Sequence, residues 1–266
     1  MDQTAPATVA VVLKERPASL APVAQAWAAV FGIPVFDASK KVRDAGGILL
    51  ENAPREVADK LAAGLGKAGV VSVVAPMDRL ARLVPAVDCK LRREGDGLKA
   101  QVPGGADVML PLARIRILAV FALKETTRDV KKVTEGPTLA SKALRMGISL
   151  STGIPLPKQK TKVVEKVTEN EAFVFFLDVV TTDGKRFRAT ADALDYGFLG
   201  DRKLHQALGN FKLLIADLAV ACPNALRNLG AEIMLASRPV SQMGYSSPAD
   251  VDRELRWMLT VAPRVG

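Results

Sequence analysis

Residues 194–211, LDYGFLGDRKLHQALGNF, gather the side chains best suited to chemistry: Asp195, Tyr196, Asp201, Arg202 and His205. His205 is the only histidine of the chain. An imidazole titrates near neutral pH, and beside two carboxylates, a phenol and a guanidinium it offers acid, base and anion-binding groups in one short span. An enzyme of unrecognised class would be centred on 195–205. The competing reading is structural. Tyr196, Phe198 and Leu199 anchor a turn to the core, and Gly197 and Gly200 let the backbone bend. Asp201 caps a short helical turn, Gly209 stops it, and Asn210 caps the next helix. The structural reading is favoured because a lone histidine fails most catalytic templates. A zinc site built from two histidines is impossible, and Cys89 and Cys222 stand alone. A serine–histidine–acid triad would have to use His205, and no G-x-S-x-G elbow occurs. No catalytic residue, metal site or cofactor is therefore assigned, and the reading leans away from an enzyme.

Two further patterns resemble chemistry and dissolve on inspection. GLGKAG, residues 64–69, has the spacing of a dinucleotide fingerprint. It falls at the end of an expected helix and before a strand, where the macrodipole repels an anion. Asp250-x-Asp252 suggests a metal pair, but helix capping explains it better.

The second candidate site is electrostatic. The net charge is +9. Between Arg128 and Lys166 nine basic residues face only Asp129, Glu135 and Glu165, so +6 of that charge lies in this short stretch. Arg128, Lys131, Lys132, Lys142, Arg145, Lys158, Lys160 and Lys162 are its candidate binding residues. The segment holds Gly136-Pro137, Pro155 and Pro157 and no aromatic side chain. Single-strand binders interleave aromatics on which bases stack, so charge alone remains here. The segment reads as a solvated, mobile loop or as an arm contacting phosphate or an anionic surface.

These groups must be positioned by a chain of 266 residues, 49% hydrophobic and 24% charged, the composition of a soluble globular protein. The N-terminus does not look like a secretory signal. The longest apolar run, 117–123, is far short of the about 20 residues a membrane helix needs, so no membrane insertion is expected. Two distant cysteines fit a reducing cytoplasm. The first 76 residues repeat a pattern of apolar strand, polar turn with proline, helix, glycine and apolar strand. Gly32 and Gly69 end the two helices. Asn52 is the expected N-cap of the second helix, and a strand is expected near 33–38. Residues 77–87 read as a linker. Residues 88–236 then turn to strands, with hairpins at EGDG (94–97) and Asp183-Gly184 and a basic insertion at 125–168. A helix carries Phe211, Leu214, Ile215, Leu218 and Cys222 on one face. Residues 237–266 form a linker and a C-terminal helix begun by Ser247-Pro248-Ala249-Asp250, which docks on one of the two domains.

Two β-α-β units in tandem resemble a ferredoxin-like sandwich, with both helices on one face of an antiparallel sheet. The strands of about 88–222, closed by one helix, resemble the pleckstrin-homology-like barrel, which also occurs in bacterial proteins. This second resemblance rests on element order, and 125–168 departs from it. It implies binding of peptides, lipids or a partner domain, and rarely catalysis. The expected class is α+β: a ferredoxin-like sandwich followed by a β-rich pleckstrin-homology-like barrel with C-terminal helices. The expected function is a non-catalytic cytoplasmic interaction or regulatory protein that binds a protein partner or self-associates. The alternative is a nucleic-acid-binding protein using 128–166 as an arm.

Overall fold

The computed structural model describes residues 8–135 and 162–262. The fold is mixed α+β, and the described strands form three sheets, none of which closes into a barrel. The chain divides into two compact units, Met1–Leu123 with Val174–Gly266, and Lys124–Phe173.

In the first unit, β1 (Val9–Leu13) is the centre of a three-stranded sheet of order β2-β1-β3. Its neighbours β2 (Ile48–Ala53) and β3 (Ser72–Pro76) both run antiparallel to it. All five residues of β1 are buried. A strand covered on both faces must be apolar throughout, and VAVVL is. On one face Val9, Val11 and Leu13 meet α1 (Ala21–Phe31) and α3 (Arg55–Lys67). On the other, Ala10 and Val12 share a core with residues of a distant strand and of the last helix.

The strand expected near 33–38 is absent. Residues Val35–Ala45 form a helix, α2, that turns back from α1 at 115°. Pro34 begins it, with φ −57° and ψ 142°, and Gly46 ends it in the left-handed conformation. Ala38 and Val42, four apart, are its buried stripe, which overrides the strand-like IPVF that precedes them. Asn52 is not an N-cap either: it stands at φ 54°, and Pro54 occupies the capping position of α3. GLGKAG closes α3 as expected, at the wrong end of a helix for holding phosphate.

The β-rich part contributes two sheets. One has order β11-β5-β6-β7, from Leu194–Asp195, Lys90–Glu94, Gly97–Gln101 and Val108–Pro111. The other has order β12-β8-β9-β10-β4, from Leu226–Arg227, Ile115–Glu135, Lys162–Thr181, Arg186–Thr190 and Val87–Asp88. Both expected hairpins form. Glu94 pairs with Gly97 around Gly95, and Arg186 pairs with Val180 around Gly184; both turn glycines have positive φ. Helix α4 (Ala207–Ala221) packs Phe211, Leu214, Ile215 and Leu218 against both sheets in one core. A short helix, α5 (Leu229–Leu235), and the last helix, α6 (Pro248–Val261), complete the unit.

The second unit, Lys124–Phe173, holds the distal parts of β8 and β9. Strand therefore replaces loop over 125–135 and 162–168 of the expected insertion. Lys124 and Glu171 form an exposed ion pair there, at 2.7 Å.

Candidate functional site

Helix α6 organises the polar chemistry of the first unit. It starts as SSPAD predicts: Asp250 Oδ2 accepts from the backbone N–H of Ser246 (2.8 Å) and Ser247 (2.9 Å). Burial would raise the Asp250 pKa, but these donors, the Ser246 hydroxyl and Arg253 outweigh it and hold the carboxylate below its usual range. From this start the helix docks on both sequence-defined parts, not on one. Arg256 bridges to Glu51 of β2 (2.7 Å) and donates to the Ala81 carbonyl (3.1 Å). The indole N–H of Trp257 donates to the Leu13 carbonyl (2.6 Å).

On its β-rich side α6 meets a buried charge cluster. Asp178, fully buried on β9, accepts from Arg186 Nε at 2.9 Å and from Arg188 Nε at 2.7 Å. Asp252 of α6 accepts from Arg186 Nη2 at 2.6 Å. Two guanidinium groups on one carboxylate leave an excess positive charge, and Asp252 neutralises it. Arg188 also lies over the Phe121 ring, 4.9 Å from its centroid.

A second network surrounds Glu254, which is buried and lies two residues from Asp252, on the opposite face of α6. Its Oε1 accepts from Arg16 Nη2 and from the Leu229 N–H (3.0 Å), and its Oε2 accepts from the Tyr245 hydroxyl. That hydroxyl in turn accepts from Asn228 Nδ2 (2.9 Å) and the Gly230 N–H (3.2 Å). Asn228 also closes a two-way bond with the backbone of Val120, at 2.9 Å each way. Burial first, and Glu254 second, push the Tyr245 phenol above its ordinary value. Its proton is therefore fixed at neutral pH.

Beside β3 lies the candidate interaction surface, a groove of about 880 Å³. Four consecutive residues, Val73, Val74, Ala75 and Pro76, line it. Side chains of a strand alternate between faces, so a cavity touching four in succession meets the strand edge-on. Among the described residues β3 pairs on one side only, with β1. The far wall is the segment after β3 and the end of α6, including Leu83, Val84 and Leu259. Val71 and Val73 are 50% and 38% exposed at this edge. Four cations line the groove, Lys14, Arg79, Arg82 and Arg116, against one acid, Asp78. Lys14, Arg79 and Arg82 are exposed, and no side-chain partner engages them among the described residues. Sequence reading missed this groove; its only local signal was the run of cations in MDRLAR.

Along 194–211 the side chains of Asp195, Tyr196 and Asn210 bond to nearby backbone, and Arg202 pairs with α4. The Tyr196 hydroxyl donates to the Ala191 carbonyl (2.6 Å), and burial, then Asp192, raise its pKa. Asp195 Oδ1 accepts from the Gly197 N–H (2.8 Å). Arg202 forms a two-pronged ion pair with Asp217, whose pKa its hydrogen bond lowers. Asp201 and His205 are exposed. Asp201 makes no side-chain cap, and Gly209 does not stop a helix but lies in the first turn of α4. Asn210 clamps the loop instead, accepting from the Leu204 N–H (2.6 Å) and donating to its carbonyl (2.8 Å). Among the described residues no hydrogen bond or ion pair joins any two of the five side chains. Of the basic set, Arg128, Lys131 and Lys132 lie on β8 and Lys162 begins β9. Lys142, Arg145, Lys158 and Lys160 fall outside the described residues.

Cys89 and Cys222 are both buried, and burial raises both thiols. No group of three metal-ligating side chains occurs among the described residues, and no single described helix is long and apolar enough to cross a membrane. The chain matches no protein-family model, no curated protein and no solved structure.

Proposed function

We propose that this chain is a non-catalytic interaction protein and that its β3 groove receives an extended acidic segment of a protein partner. The observation that carries this reading is the coincidence, among the described residues, of an unpaired strand edge with three cations that have no side-chain partner, Lys14, Arg79 and Arg82. An added strand gains main-chain hydrogen bonds along β3, and its alternate side chains meet aliphatic walls on one face and cations on the other. Natural sheets blunt their edges; this one carries only Pro76 at its end and leaves Val71 and Val73 exposed. The wall chemistry favours protein over nucleic acid, because no aromatic side chain lines the groove for a base to stack on.

The fold supports the same reading. Sheet order β2-β1-β3, with β1 antiparallel to both neighbours, resembles three strands of a ferredoxin-like sandwich, with α2 where its second strand would run. The meanders β5-β6-β7 and β8-β9-β10, with α4 packed on both sheets, resemble the elements of a pleckstrin-homology-like domain, without closure. Both arrangements leave edges for partners.

A labelled peptide of alternating valine and glutamate, titrated onto the full chain, tests the proposal. It is expected to bind and to protect the β3 amides from hydrogen exchange. Arg79→Glu with Arg82→Glu should weaken it by about tenfold, mainly through the on-rate. A valine–lysine peptide should not bind. Equal binding of both peptides, or unprotected β3 amides, overturns the groove. Tight binding of duplex DNA, with log affinity falling steeply with log salt, assigns the cations to phosphate instead.

A further inference from the structure

A second concavity, of about 670 Å³, lies between α2 and the connection from α5 to α6. We infer that it is a binding site for a small amphiphilic anion: a compact apolar or aromatic body carrying one carboxylate or phosphate. The inference stands apart from the β3 groove and does not rest on it.

The floor is finished. Arg16, Glu254 and Tyr245 satisfy one another and the backbone around them, as a neutral ion pair with a fixed phenol. Arg16 is also held 5.5 Å over the Trp257 ring. A ligand seated here therefore meets no unsatisfied polar atom of that set, and it faces Leu13, Val42, Met243 and Trp257. That surface calls for an apolar body. The rim carries Phe36, which is 84% exposed, far more than an aromatic ring keeps when it serves only a core. A ring or chain entering the cleft covers it.

The mouth supplies the charge. Lys40 and Arg43, one turn apart on α2, both line the cleft and have no side-chain partner among the described residues. Arg43, in the last turn, is favoured by the helix dipole; Lys40, mid-helix, has no such reason to be there. Asp44, on the same helix, is the one acid of the lining without a partner among the described residues. The volume lies within the range of small-molecule sites, and such sites pair apolar walls with a few convergent polar groups. The amphiphile's body lies on Trp257, and its anionic end faces Lys40 and Arg43.

Calorimetry with three probes tests this on the full chain: 1-naphthylacetate, its neutral analogue 1-naphthylmethanol, and acetate. Naphthylacetate is expected to bind most tightly, the alcohol about tenfold more weakly, and acetate not at all. In Lys40→Gln with Arg43→Gln, on an exposed helix face, naphthylacetate should fall to the affinity of the alcohol while the alcohol is unchanged. Phe36→Ser should weaken both. Sedimentation with phosphatidylglycerol vesicles separates the sources. Binding lost in the double variant assigns the anion to a lipid headgroup, and no sedimentation assigns it to a soluble molecule. Equal affinity for acid and alcohol, an unchanged double variant, or no binding at millimolar naphthylacetate overturns the site.

Discussion

Cys89 sits between β4 and β5 and donates its N–H to the Arg188 carbonyl at 2.9 Å. Burial, then the charges of Asp88 and Asp178, push its thiol up to about 12. In the unfolded chain the same thiol ionises near its ordinary value of 9.0. The folded pKa is raised, so this contribution to stability is complete below pH 9 and is lost as pH climbs toward 12. Cys89→Ala removes it. Plotted against pH, the unfolding free energy of the wild type should fall more steeply than that of the variant above pH 9, with the slopes differing by up to about 1.4 kcal/mol per pH unit. Parallel curves would show that Cys89 is not the group responsible. The same crowding of charge explains why Asp178 needs two arginines and why they need Asp252: removing one partner of a buried set leaves a charge without water or counterion.

Between elements, one close contact lies just before β2. Gly47 has φ 101°, and a Cβ there would stand 2.5 Å from the Trp257 ring. Gly69, after α3, also has positive φ, at 72°, but faces open space. Gly69→Ala should therefore cost about 1 kcal/mol for the backbone alone. Gly47→Ala should cost a further 1–3 kcal/mol, roughly, because the indole must move and its bond to the Leu13 carbonyl is strained. Urea unfolding of the two variants measures the difference. Some elements were legible in sequence because their signals are local. Ser247-Pro248-Ala249-Asp250 opened α6, and Asp183-Gly184 turned a hairpin. Residues 33–38 misled because IPVF has the apolar content of a strand, while Ala38 and Val42 become a stripe only once the sheet they bury against exists. Residues 195–205 carry the chemistry of a site in their side chains, yet Asp195 and Tyr196 bond to nearby backbone and Arg202 pairs with Asp217 of α4. The groove was hidden for the opposite reason: an open edge is a missing neighbour, which no residue encodes.

For the whole first unit, α6 is the joint. It contributes Val251, Leu255, Trp257 and Met258 to a core shared with β1, β2, β8 and β9. Chains ending at Ser246 lose those four side chains and leave Arg16 and Arg186 without Glu254 and Asp252. They should keep far-ultraviolet dichroism, lose the near-ultraviolet signal, bind anilinonaphthalene sulfonate and unfold without cooperativity. A sharp urea transition in the truncated chain would mean that the sheets hold without the helix.

That joint also sets a clock. Trp257 reaches Leu13 across 244 positions, and Glu254 reaches Arg16 across 238. A ribosome adding about 5–20 residues per second takes on the order of 10–50 s to cover that distance. Through that interval Ala10 and Val12 have emerged and the helix that covers them has not. The nascent chain therefore carries an uncovered apolar face for as long, and closure waits on contacts more than 200 positions apart.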